Sequence, residues 1–196
     1  MLDIFTKGTK KMLILASKSP RRKELLSLIT ADFEIIPAVG EENADPSLPP
    51  EKFVEALAIA KAQEISDTHP EDTVIGSDTV VAINGEILGK PKDKEDAFRM
   101  LSLISGTYHS VFTGVAVIKD GKTYSFTEET KVKFFPLDEF EIERYIATGE
   151  PFDKAGAYGI QELGALLVEG IEGDYYNVMG LPVGRLFRLM KELQII

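Results

Sequence analysis

Two turn signals constrain the fold of this chain most strongly: Asn84-Gly85 and Asp120-Gly121 each separate two β-rich segments. These dipeptides readily adopt the positive backbone φ angles that two-residue hairpin turns require. The first turn follows a predicted strand at residues 73–83, and the second joins predicted strands at 108–118 and 123–135. The middle of the chain is therefore predicted to form antiparallel strands.

Strands and helices alternate on both sides of these hairpins. Short strands are predicted at residues 13–16 and 33–36, and helices at 51–66, after the caps Ser19, Asp93 and Asp138, and after Leu181-Pro182. Alternation combined with hairpins predicts an α/β fold, with a mixed β-sheet and flanking helices. A length of 196 residues fits one domain, which we assign to residues 12–196, after an N-terminal extension at 1–11.

Composition narrows the class of partner. The net charge of −10 argues against a nucleic-acid partner, which would be repelled, whereas a small anionic substrate needs only a local positive pocket. No apolar run reaches the roughly 20 residues of a membrane helix, and we find no export signal. With no cysteines, the chain is compatible with a cytoplasmic protein. The exposed hairpins could pair in a homodimer.

Residues 17–22 join a predicted strand to the first turn of a helix. Ser19 suits the N-cap and Pro20 the first helical position. A helix N-terminus favours an anion, and the planar fork of arginine binds phosphate oxygens in pairs. Cations are disfavoured in a first turn, so Arg21 and Arg22 indicate either a phosphate site or a capped helix with a solvated basic end.

Lys61 interrupts an apolar row of four-residue spacing that contains Phe53, Leu57 and Ile65. A lysine in such a row either extends its ammonium group to the surface or lines a pocket at the edge of the core.

Asp78 lies inside a β-rich segment, where aspartate is disfavoured. Counting back from the Asn84-Gly85 turn, a regular hairpin pairs Thr79 with Lys90 and brings Asp78 near both, although regular alternation points Asp78 to the opposite face. The carboxylate could bind a metal or activate water beside a phosphate-binding lysine. Alternatively, it forms a structural ion pair.

Glu41, Glu42 and Asp45 lie in a polar loop after the second predicted strand. Carboxylate oxygens suit Mg²⁺ or Mn²⁺, so this loop is either part of a metal site or an acidic solvated surface. His69 and His109 match no ligand spacing and are interpreted as structural. The chain has neither a Walker loop nor a GxGxxG motif.

Taken together, these segments resemble the Maf family of nucleotide pyrophosphatases. The matching stretches run in the family's order at residues 15–26, 76–81, 88–91, 153–161 and 173–182. The resemblance implies a fold like that of the inosine triphosphate pyrophosphatases, with two lobes around a cleft. It implies an enzyme that hydrolyses a nucleoside triphosphate to a monophosphate and pyrophosphate, with a divalent cation (Mg²⁺ or Mn²⁺) as cofactor.

The resemblance also implies roles for individual residues. Asp78 would be the proton acceptor and would bind the metal together with Glu41. Five residues would surround the phosphates: Ser17, Arg21, Arg22, Lys61 and Lys90.

Three residues match the branch of the family that acts on dTTP and UTP: Arg21, Thr79 and Gln161. The amide of Gln161 offers a donor and an acceptor that match the O4/N3–H edge of thymine or uracil. Ser77 departs from that branch, which usually has alanine, and is similar to the branch that acts on 7-methyl-GTP. The expected substrates are dTTP and UTP, and modified pyrimidine nucleotides. The alternatives are 7-methyl-GTP and a role as a nucleotide-binding regulator of septum formation.

Overall fold

The computed structural model describes residues 11–40 and 44–196. Its centre is a seven-stranded sheet with the order β2-β1-β3-β5-β6-β7, and β4 pairs with β3. The strands are β1 (Leu13–Leu15), β2 (Glu34–Ile35), β3 (Thr73–Ile83), β4 (Glu86–Leu88), β5 (Tyr108–Lys119), β6 (Lys122–Phe134) and β7 (Val168–Glu172). The α-helices are α1 (Pro20–Ser27), α2 (Pro50–Ser66), α3 (Lys94–Ile104), α4 (Glu139–Ala147), α5 (Tyr175–Met179) and α6 (Val183–Glu192). Three 3₁₀ helices span Glu150–Asp153, Ala155–Ala157 and Glu162–Leu167.

The sheet confirms the predicted α/β class with mixed pairing. Strand β1 pairs in parallel with β2 and β3, whereas all other pairs are antiparallel. Both predicted hairpins form, and Asn84 and Asp120 each have a φ of 52°. The second predicted strand is shorter than expected, because only Glu34 and Ile35 pair with β1.

One predicted pairing is wrong. The hairpin ladder ends where Val81 pairs with Leu88, so Thr79 does not pair with Lys90 and, among the described residues, pairs only with Thr113 of β5, on the other edge of β3. The chain leaves the ladder at Gly89, whose carbonyl accepts the N–H of Gly156 at 3.0 Å. A contact distant in sequence therefore ends the regular hairpin.

The partners of β3 leave a gap along one of its edges. Strand β1 pairs with residues 73–75 and β4 with residues 81–83, while β5 covers the other edge from 74 to 82. Between them, residues 76–80 have no partner strand on that edge within the described part of the chain. A cleft opens at this gap.

Helix α2 lies unusually close to the sheet. A Cβ atom on Gly76 would come within 2.3 Å of the Ala58 carbonyl oxygen, and one on Gly114 within 2.4 Å of the Val54 carbonyl oxygen. Only glycine permits such contact between a strand and a helix backbone. Because side chains alternate along β3, Gly76 and Asp78 share the face that α2 covers.

One of three hydrophobic clusters packs α2 against the sheet. The other two occupy opposite ends of the long strands: one contains Leu101 of α3 and Ile142 of α4, and the other contains Leu26 of α1 and Leu186 of α6. They form the two lobes, which β3, β5 and β6 connect. Along the described chain, no helix is both long enough and apolar enough to cross a membrane.

His109 is packed inside the first of these lobes. It is 3% exposed, its Nε2 lies 2.7 Å from the Tyr158 hydroxyl, and its ring meets Phe134 edge to face. Burial lowers the pKa of His109 from 6.5 to about 4. His69 is half-buried, with Nδ1 2.9 Å from the Thr68 hydroxyl.

We expect Gly76→Ala to lower the free energy of unfolding by about 1–3 kcal/mol, because the added methyl group meets the backbone of α2. Urea denaturation of the two proteins measures this difference. Gly184→Ala is the matched control, since a Cβ atom there meets open space. Equal stability of Gly76→Ala and wild type would show that α2 can move away without cost.

The depressed pKa of His109 predicts a pH-dependent stability. As the pH falls from 6.5 to about 4, the unfolded chain takes up a proton that folded His109 does not, so the folded state loses up to about 3 kcal/mol. The free energy of unfolding of His109→Gln should depend less steeply on pH in this window. Parallel curves for variant and wild type would contradict the prediction.

Candidate active site

A cavity of about 1100 Å³ opens at the gap in the edge of β3. Its walls come from the start of α1, the loop at 46–50, α2, β3 and the segments 153–162 and 178–180. Seven of the predicted site residues line it: Arg21, Arg22, Lys61, Asp78, Thr79, Lys90 and Gln161. Glu41, the predicted metal ligand, lies outside the described residues.

The predicted start of α1 is confirmed. Ser19 is the N-cap and its hydroxyl accepts the N–H of Arg22 at 3.4 Å, with Pro20 in the first turn. Ser17 is 7% exposed and lies behind this turn, where its Oγ accepts the N–H of Ser19 at 3.2 Å. It is not among the residues that line the cavity, although Arg22 Nη1 lies 3.5 Å from its Oγ, and its predicted contact with the phosphates stays a prediction.

Arg22 is fixed in the wall by contacts to two other segments. Its Nε donates to the Gly180 carbonyl at 2.9 Å, and its guanidinium also donates to the Thr79 hydroxyl at 3.0 Å. The Thr79 hydroxyl lies 2.9 Å from Thr113, which donates to the carbonyl of Asn177 at 2.9 Å. The Thr79 hydroxyl therefore accepts a hydrogen bond from Arg22 and donates one to the Thr113 hydroxyl. These two bonds orient the side chains of Arg22 and Thr79.

Lys61 meets Asp78 across the floor of the cavity. The ammonium group donates to Asp78 Oδ1, and the two side chains are 18% and 11% exposed. The close approach of α2 to β3 makes this contact possible. The row of Phe53, Leu57 and Ile65 therefore carries a lysine that lines a pocket and is not extended into solvent.

Lys90 enters the cavity after the chain leaves β4. Its side chain is exposed and makes no hydrogen bond or ion pair to any described residue. The Lys90 ammonium group therefore lies at the rim of the cavity, whereas the Lys61 ammonium group lies at the floor.

Asp153 and Lys154 belong to the site, although the residue patterns gave them no role. Arg21 donates to Asp153 Oδ2 at 3.1 Å, and Lys154 donates to Asp153 Oδ1 at 2.8 Å. Burial opposes the charged form of Asp153, but Lys154 and Arg21 outweigh it and hold its pKa below the ordinary value. The only signal for these residues was their position in the matching stretch at 153–161.

Ser77 is fully buried and does not line the cavity. Its hydroxyl donates to the Gly180 carbonyl at 3.1 Å, the same oxygen that accepts from Arg22. Gly180 has a φ of 109°, a conformation that side chains rarely adopt. Ser77 therefore acts on the carbonyl that holds Arg22.

The donor set for a divalent cation is partial. No group of three or more acidic, histidine or cysteine residues comes together among the residues described. Asp78 presents a second carboxylate oxygen besides the one bound by Lys61, in a cavity rich in cations. Mg²⁺ commonly takes one or two carboxylates and completes its shell with substrate phosphates, so these residues fit a cation that binds together with a phosphate ligand.

A carboxylate on the floor, a basic wall at a helix N-terminus and an amide in the same cavity are the features of an enzyme site for a phosphorylated small molecule. The chain belongs to the Maf-like protein family, whose family model matches residues 12–193.

Several relatives carry the name dTTP/UTP pyrophosphatase, among them the following two. The protein of Bacillus cytotoxicus is 51% identical over 182 residues, which are 93% of this chain and 95% of that protein. The protein of a Geobacillus species is 51% identical over 183 residues, which are 93% of this chain and 98% of that protein. Among solved structures, a HAM1 protein from Coxiella burnetii has a TM-score of 0.56 at 12% identity, covering 93% of this chain and 100% of its own. This last similarity concerns the fold alone.

Ser77→Ala should lower the free energy of unfolding by about 1 kcal/mol, because one hydrogen bond to the buried Gly180 carbonyl is lost while that of Arg22 remains. Urea denaturation measures the loss. Ser102→Ala, on the exposed side of α3, should change stability by less than about 0.5 kcal/mol. If both variants are equally stable, the Ser77 hydrogen bond contributes nothing.

Proposed function

We propose that this protein hydrolyses dTTP and UTP to the nucleoside monophosphate and pyrophosphate. The observation that carries the proposal is the convergence of Arg22, Lys61, Lys90 and Asp78, which come from four separate segments, in one cavity. Relatives of similar length that are about 50% identical to this chain bear the name of this activity.

The phosphates would lie along the basic side of the cavity. Arg22 is held by Gly180 and Thr79 before any ligand arrives, so little side-chain ordering remains to be done on binding. Lys61 and Lys90 add cations at the floor and the rim. Arg21 would exchange its ion pair with Asp153 for a phosphate oxygen.

Asp78 would act as the proton acceptor. A water molecule attacks the α-phosphorus, its oxygen forms the new P–O bond, and its proton passes to Asp78. The bond from the α-phosphorus to the bridging oxygen breaks, and pyrophosphate leaves with the electron pair. Lys61 fixes the carboxylate and, with the other cations, neutralises charge on the transferred group.

We include a divalent cation, Mg²⁺ or Mn²⁺, in this proposal. Asp78 would bind it together with substrate phosphates, and Glu41 would be a further ligand. When bound, such an ion neutralises phosphate charge and assists departure of pyrophosphate.

Gln161 would read the base, since it lines the same cavity as the basic residues and its amide can match the O4/N3–H edge. Thr79 acts through Arg22 and Thr113. Ser77, the residue that favours 7-methyl-GTP, faces Gly180 and not the cavity, so it gives that alternative no support. We further propose that residues 12–196 function as one domain and that the enzyme is cytoplasmic.

The test is a substrate panel of dTTP, UTP, dCTP and 7-methyl-GTP with Mg²⁺ or Mn²⁺, with products separated by chromatography. We expect monophosphate and pyrophosphate from dTTP and UTP. Asp78→Asn should lower kcat by about 100-fold or more, as loss of a general base commonly does. Asp120→Asn is the control, because an asparagine suits the positive φ of that exposed turn.

Two results would overturn the proposal. One is the absence of pyrophosphate release from dTTP and UTP under all conditions. The other is a preference for 7-methyl-GTP over both pyrimidine nucleotides.

A further inference from the structure

The segment that carries Gln161 has a strained backbone. Residues 159–162 line the cavity, and Glu162, directly after Gln161, has a φ of 53°. Ala157 at the start of the same stretch has a φ of 62°. Residues other than glycine keep such conformations only where surrounding contacts enforce them. The contacts that enforce this one identify residues on which Gln161 depends.

The Glu150 carboxylate holds the far end of the segment. Its Oε2 accepts the N–H of Leu163 at 3.2 Å, and its Oε1 accepts the N–H of Gly164 at 3.1 Å. These N–H groups belong to the first turn of the 3₁₀ helix at Glu162–Leu167, where they lack partners within the helix. Hydrogen bonds to a carboxylate are stronger than those between neutral groups.

The Tyr145 hydroxyl holds the near end. It donates to Glu150 Oε1 at 3.0 Å and accepts the N–H of Gly159 at 3.3 Å. Tyr145 is 5% exposed and belongs to α4. Burial raises the pKa of Tyr145 above its usual value, so the hydroxyl keeps its proton at neutral pH.

The two ends of the segment meet at this pair of side chains. A Cβ atom on Gly164 would lie 2.1 Å from the Gly159 carbonyl oxygen and 2.7 Å from the Tyr145 hydroxyl. Gly159 and Gly164 therefore close a tight loop with Gln161 between them. Glu150 and Tyr145 themselves do not line the cavity.

We propose that Glu150 and Tyr145 are positioning residues that set the base preference of the site by fixing the loop that presents Gln161. This inference rests on the proposed function. Thymine and uracil offer an acceptor at O4 and a donor at N3, whereas cytosine offers a donor at N4 and an acceptor at N3. A glutamine amide can satisfy either pattern after rotation, so discrimination requires that its approach to the base be fixed.

The test compares kcat/KM for dTTP and dCTP in Glu150→Gln, Tyr145→Phe and Gln161→Ala. We expect the dTTP/dCTP ratio to fall by about tenfold in each variant, through a higher KM for dTTP. In the Gln161→Ala background, Glu150→Gln should not lower the ratio further, because the two residues act through one contact. A general structural defect would instead lower kcat/KM for dTTP and dCTP alike, and its effect would add to the effect of Gln161→Ala.

The matched controls make the same substitutions, Glu to Gln and Tyr to Phe, at positions outside the loop that presents Gln161. Glu143→Gln alters an exposed residue of α4, and Tyr124→Phe alters a half-buried residue of β6 that has no hydrogen bond from its hydroxyl to other described residues. Both should keep the wild-type ratio. Tyr145→Phe decides the matter if Glu150→Gln fails to fold, since it removes a single hydroxyl group from a buried ring.

The outcomes separate the two proposals. A wild-type enzyme that hydrolyses neither dTTP nor UTP overturns the proposed function and this inference with it. If the wild type prefers dTTP and folded Tyr145→Phe and Glu150→Gln keep that preference, the positioning role alone is wrong. The positioning role is also wrong if Glu150→Gln lowers the dTTP/dCTP ratio by the same factor in the Gln161→Ala background as in the wild type.

Discussion

The close packing of α2 on the sheet is the constraint on which the site depends. Gly76 and Gly114 let the helix backbone approach β3 and β5 to a distance that any Cβ atom would prevent. As a result Lys61 reaches Asp78 in the middle of a strand. A carboxylate buried there without a cation would be strongly destabilising, so helix position and site chemistry are linked.

The gap in the edge of β3 explains how residues from both faces of one sheet line a single cavity. Alternation directs Asp78 towards α2 and Thr79 towards Arg22 on the other side. In a continuous sheet these groups would be separated by neighbouring strands. Because β1 ends beside residue 75 and β4 ends beside residue 81, a ligand at the open edge can contact both sets.

Basic side chains cluster in the cavity although the net charge of the chain is −10. Asp153 balances Arg21 and Lys154 at the mouth, and Asp78 balances Lys61 at the floor. A polyanionic ligand can replace the first of these pairings without leaving a buried charge alone, because Asp153 is largely exposed. Local arrangement, and not total charge, therefore governs what the site binds.

The sequence by itself determined the elements that depend on adjacent residues: both hairpins, the caps at Ser19, Asp93 and Asp138, and the helix that carries Lys61, but not the direction of that lysine. Such features follow from turn and capping chemistry within a few residues. The family resemblance supplied the set of site residues. Only the tertiary structure decided that the β4 ladder ends before Lys90, that Ser17 and Ser77 lie behind the wall, and that Glu150 holds the Gln161 loop. These outcomes depend on contacts such as that between Ser77 and Gly180, which are 103 positions apart, and no local pattern encodes which distant backbone group a side chain will meet.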